Sequence, residues 1–161
     1  MDNEERMLEV ALGRIVIHDG ADRQYIYLCE CNGNRGFPIV IGNHEAGEIQ
    51  RVVVGVEPER PLTHQLCHDV IASLGCTVKR VDIVDLRDNT FFAQIVLADA
   101  KGKVASVVDA RPSDAIALAM RSRCPIRVSE RVLAIASGDD SQSENGHEPP
   151  PSSSESEGES D

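Results

Sequence analysis

"VVDARPSDAIALAMRSRCPI", residues 107–126, is the stretch on which the fold turns. An apolar run breaks at Asp109, passes through Arg111, Pro112, Ser113 and Asp114, and continues as a segment that is mostly alanine and aliphatic. Proline's fixed φ and missing N–H suit the first helical position, which makes Arg111 the N-cap and puts Asp114 at the third helical residue. There a carboxylate meets unpaired backbone N–H groups and the positive end of the helix dipole. From Ala115 to Met120 apolar residues fill every side of the helix, and a helix without a polar face needs cover on both sides. The stretch therefore predicts an α+β fold, layered β/α/β, with apolar helices between sheets.

Strand patterns precede it. Leu8, Val10 and Leu12 alternate, Ile15 to Ile17 are β-branched, and "QYIYLCEC" and "FPIVIG" read as two further strands. "NHEAGEIQRVVVG" then reads as a helix with Asn43 as N-cap. In "ERPLTHQLCHDVIASLG" the residues Cys67, Val70, Ile71 and Leu74 fall at i, i+3, i+4 and i+7; Thr63 can cap the start and Gly75 the end. Residues 78–86, 91–98 and 104–109 read as three more strands, turning at Asp88-Asn89 and Lys101-Gly102. The two halves echo each other: Glu45, Ala46 and Ile49 match Asp114, Ala115 and Leu118 in spacing, which suggests duplicated β-β-β-α repeats.

The chain has 161 residues, no tryptophan, three Phe and two Tyr, so one core of Val, Ile, Leu and Ala is expected. No segment reaches membrane-spanning length, and "MDNEERM" is the opposite of a signal peptide's basic start, so the expected location is cytoplasmic. Five cysteines without an export signal read as reduced thiols. Cys29-x-Cys31 lacks a second pair of ligands at zinc-site spacing and reads as two small hydrophobes. The net charge of −11 belongs largely to the end of the chain: residues 137–161 carry eight acids and no Lys or Arg, leaving 16 basic against 19 acidic residues over 1–136, a net of −3. The expected organisation is a domain over 1–136 and a disordered acidic Ser/Glu/Pro-rich tail over 137–161, which adds solubility or competes with phosphates for a basic site.

Capping accounts for Pro112 and Asp114 without any function. Asp109 and Arg111 are less easily dismissed, because side chains two apart in an extended segment point the same way. Beside a helix N-terminus and the Ser113 hydroxyl they read either as a cradle for a phosphate or divalent cation, or as an ion pair that fixes the junction. His64, Cys67 and His68 could meet a metal on one helix face, although Gln65 stands where HExxH has its glutamate.

"RPLTH" at 60–64, "DLRDNTFFAQIVL" at 85–97, "VDARPSDAIALAMR" at 108–121, "CPIRVSERVL" at 124–133 and "PIVIGNHEA" at 38–46 resemble the bifunctional nuclease family, whose members are credited with DNase and RNase activity. The resemblance covers about residues 7–135. It implies a mixed α+β fold of two β-β-β-α repeats and cleavage of nucleic acid, DNA and RNA. The polar positions it carries over are Glu45, Arg60, Thr63, His64, Asp109, Arg111, Ser113 and Asp114; Gln65 and His68 depart from the pattern.

Phosphodiester hydrolysis needs an activated water and charge stabilisation on the transition state, commonly with a divalent ion. The expected roles are Mg2+ or Mn2+ binding by Asp109 with Asp114 or Glu45, charge stabilisation by Arg111 beside Ser113, proton transfer by His64, and substrate binding by Arg60 and Thr63. The rival reading is a non-catalytic regulatory or anion-binding module, because the core is mildly acidic and lacks an aromatic stacking platform. Arg121, Arg123, Arg127 and Arg131 form either a phosphate-tracking face or an exposed edge. Exposed strand edges make a homo-oligomer the natural expectation.

Overall fold

The computed structural model describes residues 5–138. The acidic tail expected over 137–161 lies outside them from residue 139 onward. The elements run β1 (Met7–Val16), β2 (Arg23–Glu30), β3 (Gly36–Gly42), α1 (Asn43–Val54), α2 (Thr63–Ser73), β4 (Thr77–Arg87), β5 (Thr90–Ala98), β6 (Val104–Ala110), α3 (Pro112–Ser122), β7 (Ile126–Ser129) and α4 (Glu130–Ala136). This is a mixed α+β protein with one seven-stranded sheet and four helices. The β-β-β-α repeat is present twice, as β1-β2-β3-α1 and β4-β5-β6-α3, each with an antiparallel three-stranded meander.

Local chemistry explains the turns. Asp88 and Asn89 both take positive φ (49° and 60°), as a two-residue type I′ hairpin between β4 and β5 requires. Gly75 has φ 74° just after α2, where a side chain would be strained. Ser129 caps α4 by accepting a hydrogen bond from the Val132 N–H at 3.2 Å.

The layering differs from the sequence reading in one respect. The strands make a single sheet in the order β3-β2-β1-β7-β4-β5-β6. After α3 the chain returns as β7, which pairs antiparallel with β1 and parallel with β4, so it fuses the two meanders. The sheet then curls: Phe37 on β3 stacks on Phe91 of β5 with ring centroids 5.5 Å apart, although four strands separate them in the sheet order. Helix α3 packs against β4 and β5 on one limb and β3 on the other, so the layers that flank it belong to one sheet. Seven of its first eight residues are buried, with Ala115, Ile116 and Ala117 inaccessible, which fits its all-round apolar sequence.

Helix α2 departs further. Of the four residues expected to form its buried face, Cys67, Val70 and Leu74 are exposed and only Ile71 packs on the core. Leu62, Leu66, Val70 and Leu74 form a stripe open to solvent. Thr63 does not cap it: Leu62 is the N-cap and no side chain accepts from the first turn. Asn43 likewise lies inside α1, whose N-cap is Gly42; its side chain accepts from Gln24 Nε2 at 2.7 Å.

Candidate functional site

The curl of the sheet brings the N-termini of α1 and α3 together. Arg111 is the N-cap of α3, Pro112 is its first residue and Asp114 its third, as the sequence predicted. In α1 the third residue is Glu45. Arg111 joins the two acids: its Nη2 lies 2.7 Å from Glu45 Oε1, and its Nε donates to Asp114 Oδ2 at 2.8 Å. The other oxygen of Asp114 is taken from α2. His64 Nε2 lies 2.9 Å from Asp114 Oδ1, and because an ionised carboxylate only accepts, the imidazole donates here; in the neutral ring Nδ1 then carries the lone pair.

The accessibilities are graded along this chain of contacts. The Arg111 side chain is 68% exposed, Asp114 32%, and Glu45 and His64 each 13%. A cation at the surface is therefore backed by half-buried acids. Both hydrogen-bonded carboxylates hold the Arg111 pKa above its ordinary value, Asp114 contributing more than Glu45. Gly42 makes room for the bridge, since a Cβ there would lie 2.6 Å from Glu45 Oε2. Beside Arg111 runs a cleft of about 320 Å3, walled by Pro38 and Val40 of β3, Asn89 and Phe91 of the β4–β5 hairpin, and Ser113. Ser113 is buried, 8% exposed, on the floor of this cleft instead of free in solvent.

Asp109 does not join the cluster. It pairs in register with Gln94, whereas its neighbour Ala110 pairs with Ala93 of the core, so Asp109 faces the side of the sheet away from α3. The two-residue alternation that linked it to Arg111 ends at Ala110, where β6 stops. It is exposed, and its side chain takes part in no ion pair or hydrogen bond among the described residues. Arg60 and Thr63 are exposed at the start of α2, next to His64 in the chain.

The expected metal ligands are consequently not gathered. Asp109 points away, and the Arg111 guanidinium already stands between Glu45 and Asp114. No group of three His, Cys, Asp or Glu side chains among the described residues is placed to hold an ion. A resident Mg2+ or Mn2+ does not fit this donor set. The alternative trio also fails: His64 is committed to Asp114, while His68 lies 3.6 Å from Asp69 with Cys67 exposed. All five cysteines are free thiols.

The four late arginines are mostly occupied. Arg121 binds the buried Glu48, Arg127 makes two bonds to Asp82 at 2.7 and 2.8 Å, and Arg131 reaches Asp85 at 2.8 Å. They do not form a free phosphate-tracking face. The residue the sequence reading placed least well is Glu45 as a partner of Arg111, although its match to Asp114 in the repeat was the available signal.

The bifunctional nuclease domain model matches residues 26–140, and the chain belongs to that family. An uncharacterized protein of Mycobacterium tuberculosis, Rv1829, is 45% identical over 130 residues, covering 81% of this chain and 76% of the relative. Bifunctional nuclease 2 of Arabidopsis thaliana is 29% identical over 102 residues, and bifunctional nuclease 2 of Oryza sativa subsp. japonica is 30% identical over 102. Each plant alignment takes in 63% of this chain and 31% of the plant protein. Among the described residues no helix is long and apolar enough to cross a membrane.

Proposed function

We propose that the protein hydrolyses phosphodiester bonds of DNA and RNA at the cluster of Arg111, Asp114, His64 and Glu45. The observation that carries the reading is the Arg111–Asp114–His64 relay, in which a surface guanidinium and a proton-transfer group share one carboxylate. Arg111 stabilises negative charge on the phosphate as the bond to water forms. Asp114 fixes the ring of His64 and its tautomer, so that Nδ1 exchanges protons with the attacking water or the leaving oxygen. Glu45 holds Arg111 through the same Nη2 that Asp114 reaches. The cleft beside Ser113 seats the nucleotide next to the scissile phosphate, with Arg60 and Thr63 touching the strand near His64.

The test is a matched set of purified variants assayed on DNA and RNA. Arg111→Ala and His64→Ala are each expected to lower cleavage by roughly 100-fold or more while the melting temperature moves by only a few degrees. Asp109→Asn is expected to retain it, since Asp109 faces away. Cleavage that survives both of the first two substitutions is due to a co-purifying nuclease and sinks the reading.

A second reading, an anion-binding module without chemistry, draws on the lack of a free basic face among the described residues. It is separated by His64→Ala, which would leave such a module's phosphate binding intact and have no activity to remove.

A further inference from the structure

At the other end of α1 and α3 there is a second recess, of about 150 Å3, walled by Arg51, Val56 and Glu57 and by Met120, Arg121 and Arg123. Arg51 belongs to the last turn of α1 and Arg121 to the last turn of α3. Arg123 is the C-cap of α3, in the left-handed conformation with φ 54°. Eleven residues of helix put this recess about 16 Å from the Arg111 end of α3.

Its charge is unusual for an acidic chain. Glu48, buried beneath, takes Arg51 Nη2 at 3.1 Å and Arg121 Nε at 3.0 Å. One carboxylate cannot neutralise two guanidiniums. With Arg123 added and Glu57 subtracted, three cations face two acids, a local net of +1 where the whole chain carries −11. In addition, Arg51 Nε is buried and meets no hydrogen-bond acceptor among the described residues. A guanidinium N–H cannot accept and does not give up its proton, so this donor is left unsatisfied in the fold. The two helix C-termini oppose an anion with about half a charge each, together about equal to that local net, so retention rests on the guanidinium N–H groups that Glu48 leaves unpaired and on the exposed Arg123.

We propose that this recess binds a phosphate group. Guanidinium forks match the geometry of phosphate oxygens, and the volume admits one phosphate but not a base with its sugar. Arg123 supplies the exposed arm that captures the anion, Arg51 and Arg121 the partly buried donors that retain it, and Glu57 weakens it by repulsion. The site shares no residue with the Arg111 cluster, so it stands whether or not that cluster cleaves nucleic acid.

The experiment follows the arginine Nε–H signals of the full chain by NMR during titration with inorganic phosphate. Signals from Arg51 and Arg123 are expected to shift saturably in the millimolar range. Arg123→Gln, an exposed change that leaves the fold intact, should weaken binding roughly fivefold or more, Glu57→Gln should tighten it, and Arg111→Ala should leave it unchanged. Two further titrations separate the sources of phosphate. A nucleoside monophosphate that competes better than an oligonucleotide without terminal phosphates identifies chain ends, and the reverse order identifies the internal backbone; either supports the site. Absence of a saturable shift at Arg51, or a shift indifferent to Arg123→Gln and Glu57→Gln, means the recess holds water only and overturns the proposal.

Discussion

Glu45 and Asp114 hold the same third position in two helices, 69 residues apart in sequence, and both reach Nη2 of the Arg111 guanidinium, at 2.7 and 2.8 Å. The duplication thus does more than repeat a fold: it supplies two acids to one arginine that exists only in the second repeat. Removing that arginine should separate function from stability. Arg111 is two-thirds exposed, so its ion pairs contribute little to folding, of order 0–1 kcal/mol. Arg111→Ala is expected to lower kcat/KM on DNA and RNA by roughly 100-fold or more while the melting temperature moves by only a few degrees. Arg111→Lys keeps the charge without the fork and should recover only part of the loss. Parallel melting curves and cleavage rates check both.

Gly42→Ala tests the bridge from its other end. The added methyl would meet Glu45 Oε2 at 2.6 Å, and since that oxygen ends a flexible side chain, the carboxylate swings aside and releases Arg111. Gly42 has φ −80°, so alanine strains nothing in the backbone. The stability change should stay near 0.5 kcal/mol, with a fall in cleavage smaller than that of Arg111→Ala. Undiminished cleavage would mean that Glu45 does not hold Arg111 in its working position.

Asp82 should govern the acid limit of stability. It is 6% exposed, and although burial alone would raise its pKa, the hydrogen bonds from Arg127 and Arg80 outweigh that and hold it below the ordinary carboxylate value. A carboxyl whose folded pKa is depressed stabilises the fold above its unfolded pKa, near 3.9, and loses that contribution as pH falls toward the lower folded value. Asp82→Asn should therefore cost about 1–3 kcal/mol at pH 7, by leaving the partly exposed Arg127 and Arg80 short of a partner, and should flatten the remaining fall in stability below about pH 4. Urea unfolding at pH 7 and at pH 3 measures both; equal losses at the two values would show that the carboxylate is not charged in the fold.

The start of α3 was readable because each residue there is under a local constraint. Pro112 accepts few backbone positions, Asp114 answers a helix dipole, and Asp88-Asn89 tolerate the positive φ of a tight hairpin. The repeat was readable for the same reason, through acid, alanine and aliphatic residue at one spacing. What was hidden depends on contacts between distant segments. Nothing local says that β7 inserts between β1 and β4, so two meanders read as two sheets. Nothing local says where β6 ends, and one residue decides whether Asp109 shares a face with Arg111. Helix α2 has apolar residues at the spacing of a buried face, yet periodicity does not reveal whether a partner surface lies opposite. Arg121, Arg127 and Arg131 looked free for phosphate because their acids, Glu48, Asp82 and Asp85, come from strands and helices about 45 to 75 residues earlier.

The curl of the sheet should rest on Phe37. Its side chain is inaccessible to solvent and stacks on Phe91, the contact that brings the β3 limb against the β4–β5 hairpin and so closes the cleft beside Arg111. Phe37→Ala removes most of a ring from a packed core and should cost about 3–5 kcal/mol, a large part of the stability of a domain this size. Phe37→Leu keeps much of the volume and should cost less, about 1–1.5 kcal/mol, while still loosening the wall formed by Pro38 and Phe91. The leucine variant is therefore the informative one: folded, but with a raised KM for nucleic acid and a kcat that falls little, because the Arg111–Asp114–His64 contacts lie on the helices. If its KM is unchanged while its stability falls as expected, the cleft between β3 and the hairpin does not seat the substrate, and the strand must reach Arg111 from the α2 side instead.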